Sequence, residues 1–196
     1  MSETKRQVCK PFRSKKLQQG VAAVEFALIA VAFFTLVFGV IDVARLMFLF
    51  NTLPEVTSRA AIAASSTDFT NTVELDRVRQ RAIFRDSPGG MVLMQELTDQ
   101  SIRIDYMSIN RNDDGTLTMV PIPVGSLPSS PAANRRACLV DPNSPTCIRI
   151  VRVRVCNVSN SGACDAMQFQ SLVALFNLSL PLPTSTTLVK AQSLGL

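Results

Sequence analysis

Residues 20–50 read GVAAVEFALIAVAFFTLVFGVIDVARLMFLF, and this stretch decides what the rest of the chain can be. Residues 21–41 carry one charge, Glu25, and residues 26–41 carry none. A bilayer core of roughly 30 Å takes about 20 apolar residues in helical geometry, so the block is long enough to cross it as a transmembrane helix. A buried core helix would have to be wrapped on every side, and a chain of 196 residues has little left to do the wrapping. A secretory signal peptide would have a shorter apolar region followed closely by a small-residue cleavage site. Here the nearest such patch, residues 60–64, comes far too late.

The flanks orient the helix. Of 20 basic and 15 acidic side chains, six basic (Lys5, Arg6, Lys10, Arg13, Lys15, Lys16) and one acidic (Glu3) precede Val21, leaving fourteen of each sign beyond it. The formal charge of +5 therefore resides in the leader, which predicts a cytoplasmic N-terminus and an exported remainder. The same arithmetic removes nucleic acid as a partner, because the pI of 9.2 reflects a membrane flank and not a folded basic face.

Glu25 is the anomaly within the span. An ionised carboxylate in hydrocarbon costs about 2.5–3.5 kcal/mol on insertion scales. The leader ends in Gln18-Gln19-Gly20 directly against the apolar block, and a glycine there leaves the backbone open to a protease. Cleavage after Gly20 would create an α-amino group on Val21, four residues from Glu25 and on nearly the same helical face. The carboxylate would then have a cationic partner, in its own chain or a neighbouring one.

These residues carry a resemblance. Gly20, Val-Ala-Ala-Val, then Glu25-Phe26, after a short basic leader, looks like the prepilin-peptidase site of class IV prepilins, and AVEFALIAVAFFTLVFGVIDVARL resembles the TadE-like minor pilins (pseudopilins) of the tight-adherence, or Flp pilus, system. The resemblance implies that Gly20 and Val21 flank the scissile bond and that Glu25, with Phe26, is the recognition and assembly element. It also implies a prepilin peptidase, other minor and major pilins, the inner-membrane assembly platform and the lipid bilayer as partners, in fibre secretion, surface attachment and biofilm formation. The competing reading is an uncleaved, signal-anchored envelope binding protein.

Past the span, Asp42 and Arg45 are spaced to pair at the outer membrane surface. Residues 46–64 stay compatible with helix, with Pro54 expected to bend or restart it. Ser58, Ala60, Ala61, Ala63 and Ala64 are small enough for close packing against neighbouring helices. Asn71 with Glu74 resembles a capping box opening a second helix over residues 74–86, its arginines forming a solvated face, and Ser87-Pro88-Gly89-Gly90 stops it.

The period then changes from 3.6 to 2. Residues 102–106 and 116–122 alternate around Asn112-Asp113-Asp114-Gly115, a hairpin signal in which the aspartates are turn chemistry. Pro121, Pro123, Pro128 and Pro131 predict a loop without regular structure. Residues 148–158 read as the strongest strand, with a phase slip between Ile150 and Val151 that suggests a bulge. Residues 169–182 are broken by Asn177 and Pro181 and fall short of a second span, and a last strand is expected over 184–193.

Cys9 falls in the leader, leaving Cys138, Cys147, Cys156 and Cys164 in the exported part, where an oxidising compartment would pair them. Of three possible connectivities, Cys138 to Cys147 and Cys156 to Cys164 each close a short, turn-rich loop. The chain has no histidine and no C-x-x-C pair, which argues against a metal site and against histidine-dependent catalysis. The expected protein is therefore α+β and no enzyme, without cofactor: a cleaved leader (1–20), a transmembrane helix and its extension (21–64), and a disulfide-stapled extracytoplasmic domain (65–196).

Overall fold

The computed structural model describes residues 18–157, 164–172 and 179–195, with side chains from Gly20 onward. Residues 1–17 of the basic leader, with Cys9, Val158 at the end of the expected strand, and residues 173–178 of the late apolar segment lie outside the described residues. The chain divides into two compact units, Met1–Val43 and Ala44–Leu196. Helix α1 (Gln18–Ser66) contributes to both.

In the first unit α1 is apolar on all sides. None of its most apolar window is buried by the protein, and by length and composition it can cross a membrane. Phe26, Leu28, Ile29, Val31 and Leu36 are all exposed. The Thr35 hydroxyl donates back to the Val31 carbonyl at 2.7 Å, so this polar group is satisfied within the helix and needs no water.

In the second unit α1 becomes one-sided. Leu49, Leu53, Val56, Ala60 and Ala64 recur at helical spacing, and each is essentially fully buried. The helix passes through Pro54 without restarting. Proline removes one backbone bond and costs about 3 kcal/mol in a helix interior, but the stripe buried on both sides of it holds the two turns in line. Ala60, Ala61 and Ala64, expected against neighbouring helices, are instead buried in their own unit.

The stripe packs on an antiparallel sheet of order β4-β3-β5-β8, made by β3 (Ile102–Arg111), β4 (Leu117–Pro121), β5 (Ile150–Val155) and β8 (Thr186–Lys190). Strand β5 is central. Val151, Val153 and Val155 point into the core while Arg152 and Arg154 point away, as the two-residue period requires. No bulge interrupts β5, whose register with β3 and β8 is continuous from Ile150 to Arg154. The phase slip arises because Ile150 shares the outward face with Arg152 and Arg154, opposite Met107, while Ile148 precedes the strand, where its N–H donates to Asn134 Oδ1 at 2.8 Å. A polar stitch ties α1 to the far strand: the buried Thr57 Oγ1 lies 2.8 Å from Ser185 Oγ and accepts from Thr187 Oγ1 at 2.9 Å.

Helix α2 (Thr72–Ala82) begins as the Asn71 signal indicates, with Asn71 Oδ1 accepting from Glu74 N–H at 3.2 Å. The reciprocal half of the box is not made, since Glu74 pairs with Arg77 and the Asn71 N–H goes to Asp68 O. The helix ends four residues earlier than expected. Phe84 N–H bonds to Arg81 O and Arg85 N–H to Gln80 O, a Schellman closure that puts Phe84 at φ 61°, and Arg85 turns away to donate to Gly90 O. A two-stranded ribbon follows, β1 (Gly90–Met91) and β2 (Met94–Thr98), with a register shift between Gly90 and Met91. Gly90 is required there, because a Cβ would stand 2.3 Å from the Gln95 carbonyl oxygen.

The proline-rich stretch is not wholly irregular. Ser130 Oγ accepts from Ala133 N–H at 3.2 Å and caps helix α3 (Pro131–Val140), which starts on Pro131. The expected disulfide partners are joined, Cys138 to Cys147 with Cα atoms 5.0 Å apart and Cys156 to Cys164 with Cα atoms 4.8 Å apart. The first fastens α3 to the approach of β5. A short ribbon of β6 (Gln168–Gln170) and β7 (Ser179–Pro181) buries Phe169.

Tyr106 on β3 is buried against Phe69, ring centroids 5.7 Å apart, and its hydroxyl has no hydrogen-bond partner among the described residues. Burial pushes the phenol above its ordinary value, with nearby Arg79 opposing and Asp68 adding to the shift. Removing an unsatisfied buried hydroxyl should stabilise the domain, so Tyr106→Phe is expected to gain about 1 kcal/mol in urea denaturation. The raised folded-state pKa gives stability that is full below pH about 10, the unfolded value, and is lost as pH rises beyond it. Native protein should therefore weaken above that pH relative to Tyr106→Phe, by up to about 1.4 kcal/mol per pH unit. Equal slopes for the two proteins would contradict this account.

Candidate functional site

The residues singled out for processing lie on the uncovered part of α1. Gly20 is helical, and a Cβ built there meets nothing within 4 Å. Among the described residues Val21, Glu25 and Phe26 are left exposed, and Val21 and Glu25 are one turn apart, about 6 Å along the axis. This segment's own contribution is a backbone open at Gly20, a carboxylate one turn away, and an apolar rod that carries both.

Asp42 is buried at the end of the first unit. In the second unit, Arg45 donates from Nε and Nη2 to the Leu93 carbonyl, at 3.3 and 3.0 Å, and its guanidinium stands 5.4 Å from the Phe169 ring centroid. Arg45 thus pins the β1–β2 turn against the helix, a role its spacing from Asp42 does not disclose.

The densest polar arrangement in the second unit was invisible in the sequence. On the face of the sheet turned away from α1, Asp105 Oδ2 accepts from Arg154 Nη2 at 2.7 Å and from Arg152 Nη2 at 2.9 Å. Arg103 Nε lies 3.7 Å from the other carboxylate oxygen. The register explains the convergence: Asp105 sits opposite Arg152, and Arg103 opposite Arg154. Two arginines facing each other across strands would repel, and the carboxylate offsets this. A carboxylate so occupied is no general base. The cluster presents three guanidiniums and one carboxylate outward, which makes the face basic.

Asp113 and Asp114 prove to be turn residues. Asp114 Oδ1 accepts from Thr116 Oγ1 at 2.6 Å and Thr116 N–H at 2.8 Å, and these bonds hold its carboxyl below the usual range. Among the described residues no three His, Cys, Asp or Glu side chains gather in a way that would hold a metal ion.

Residues 20–61 match the family described as TadE-like protein. The similarity covers 42 of the 196 residues. The match lies wholly within α1 and includes none of the strands. No curated protein matches the chain, and no solved structure does.

Asp105→Ala should leave Arg152 and Arg154, both mostly buried, facing Arg103 without a counter-charge. The expected loss is about 1–3 kcal/mol in urea denaturation, partly restored by added salt as repulsion is screened. An unchanged midpoint would show the cluster to be energetically idle.

Proposed function

We propose that this protein is a minor pilin, or pseudopilin, of the tight-adherence system, processed after Gly20 by a prepilin peptidase and acting in pilus assembly as a structural subunit, not an enzyme. The observation that carries the reading is the TadE-like match over residues 20–61, which falls on α1, whose most apolar window is not buried among the described residues and whose later turns pack in the second unit. Cutting the Gly20–Val21 bond leaves a Val21 ammonium one turn from Glu25. In the membrane that pairing offsets the cost of the carboxylate, and across two subunits it fixes the axial register of their helices. Before processing, the leader lies in the cytoplasm with the second unit periplasmic, and Asp42 and Arg45 mark the outer limit of the span. The two disulfides suit that compartment.

The openness of α1 around Gly20 makes a clean variant available. Gly20→Val meets no obstacle in the fold, so any loss of processing is a loss of peptidase recognition. N-terminal sequencing of the protein from washed membranes, with and without the peptidase, should give Val21 only with the peptidase and never in Gly20→Val. A start upstream of Val21 in every sample would favour the uncleaved envelope anchor. Glu25→Ala should insert at least as well as the native chain yet assemble poorly. Normal piliation by Glu25→Ala cells would remove the assembly role from this carboxylate.

A further inference from the structure

The four-stranded sheet is left open along β4. The strand order puts β4 and β8 at its two edges, and every residue of β4 is exposed, Leu117 at 65% and Met119 at 49%. Ile122 N–H donates to Tyr106 O at 2.8 Å, in continuation of the β3–β4 register, so by the alternation of an antiparallel ladder the backbone groups of Thr118 and Val120 also turn toward β3. Those of Leu117, Met119 and Pro121 turn to the open edge. Among the described residues no strand meets the Leu117 and Met119 N–H groups or the three carbonyls there.

Sheet edges are blunted by charge, by bulges or by proline. Strand β8 ends on Lys190. Strand β4 has no such charge: no charged side chain occurs between Asp114 and Arg135, and the register with β3 runs unbroken from Leu117 to Pro121. Pro121 removes a single N–H, at the end of the strand. The edge that remains is complementary to itself. In an antiparallel pairing centred on Met119, this residue exchanges both of its bonds with Met119 of a second copy, and Leu117 N–H of each copy meets the Pro121 carbonyl of the other. Both donors of each strand are used, and only the Leu117 carbonyl is left facing a proline, at the solvent end. The side chains of Leu117, Met119 and Pro121 share the face turned away from α1 with Arg111, Ile109 and Met107, their partners on β3. The pairing therefore sets Ile109 and Met119 of both copies in one apolar row and opposes no like charges.

We propose that two copies of this chain join edge to edge through β4, as a two-fold pair centred on Met119, making one eight-stranded sheet whose outer edges are the two β8 strands. The contact is small and therefore reversible, the kind that subunits make and release in assembly and not that of a permanent dimer. It stands whether or not the chain is cut after Gly20.

Cysteine trapping reads this register. In a Cys9→Ser background, which keeps the two native disulfides and no other thiol, Met119→Cys, Leu117→Cys, Pro121→Cys and Val124→Cys are made in the full-length chain, purified in detergent and oxidised with copper phenanthroline. All four positions are exposed, so the folded unit tolerates each change, with circular dichroism as the check. Opposed Cα atoms in a hydrogen-bonded antiparallel pair stand about 5.5 Å apart, within disulfide reach. The two Leu117 positions are offset by four residues, about 14 Å along the strands, and are not. The expected result is a disulfide-linked dimer from Met119→Cys alone and from Leu117→Cys mixed with Pro121→Cys, with Leu117→Cys, Pro121→Cys and Val124→Cys each monomeric by themselves. If Met119→Cys is no more dimeric than Val124→Cys, the pairing is overturned. Self-trapping of Leu117→Cys as fast as Met119→Cys would mark a parallel or random encounter and would equally overturn it. Trapping of Met119→Cys only when mixed with Leu188→Cys would put β8 of the second copy on this edge, and the two-fold arrangement would fall.

Discussion

One helix has to satisfy two different surroundings, and the rest of the molecule follows from that requirement. Over residues 21–41, α1 is apolar nearly all round, and none of its most apolar window is buried by the described residues. Burial of apolar surface is worth about 25 cal/mol per Å², so this segment must obtain it from lipid or from other helices. Over 49–64 the same helix is apolar along a single stripe and obtains its cover from β3, β5 and β8. The change from all-round to one-sided apolarity therefore marks where the membrane element becomes the spine of a folded unit. The division of the chain after Val43 falls at that change.

The parts legible in sequence were those governed by local rules. The span needs only a count of apolar residues, and the β3–β4 hairpin only alternation around Asn112–Gly115. The two disulfides follow from short loops. What sequence reading missed was set by pairs distant in the chain or by rules in competition. The Asp105 cluster depends on a register between strands 47 residues apart. Helix α3 was hidden because Pro131 looks like one more breaker in a proline-rich run, whereas after Ser130 it is a helix start. Ile148 imitated a strand residue and Ile150 an inward-facing one, and setting these two in phase against Val151 produced the apparent bulge. Pro54 looked like a break because local propensity does not know that Leu49, Leu53 and Val56 are held from outside the helix.

The same distinction separates the two ends of the functional reading. Gly20, Val21 and Glu25 form a linear motif on an uncovered helix, which sequence can display in full and structure can only leave open. The edge of β4 is the opposite case: alternation shows the strand, but only the sheet order β4-β3-β5-β8 shows that one side of it is left open.

The stitch from Thr57 to Ser185 and Thr187 joins residues 128 and 130 positions apart. At synthesis rates of about 5–20 residues per second, roughly ten seconds separate the appearance of Thr57 from that of its partners. During that interval α1 exists without the strand that completes its cover, and its buried stripe is exposed along with its span. Anchoring and folding are thereby separated in time: the helix can be taken up by a membrane long before the globular unit can close on it. Any factor that protects the nascent chain has to shield residues 49–64 until β8 arrives.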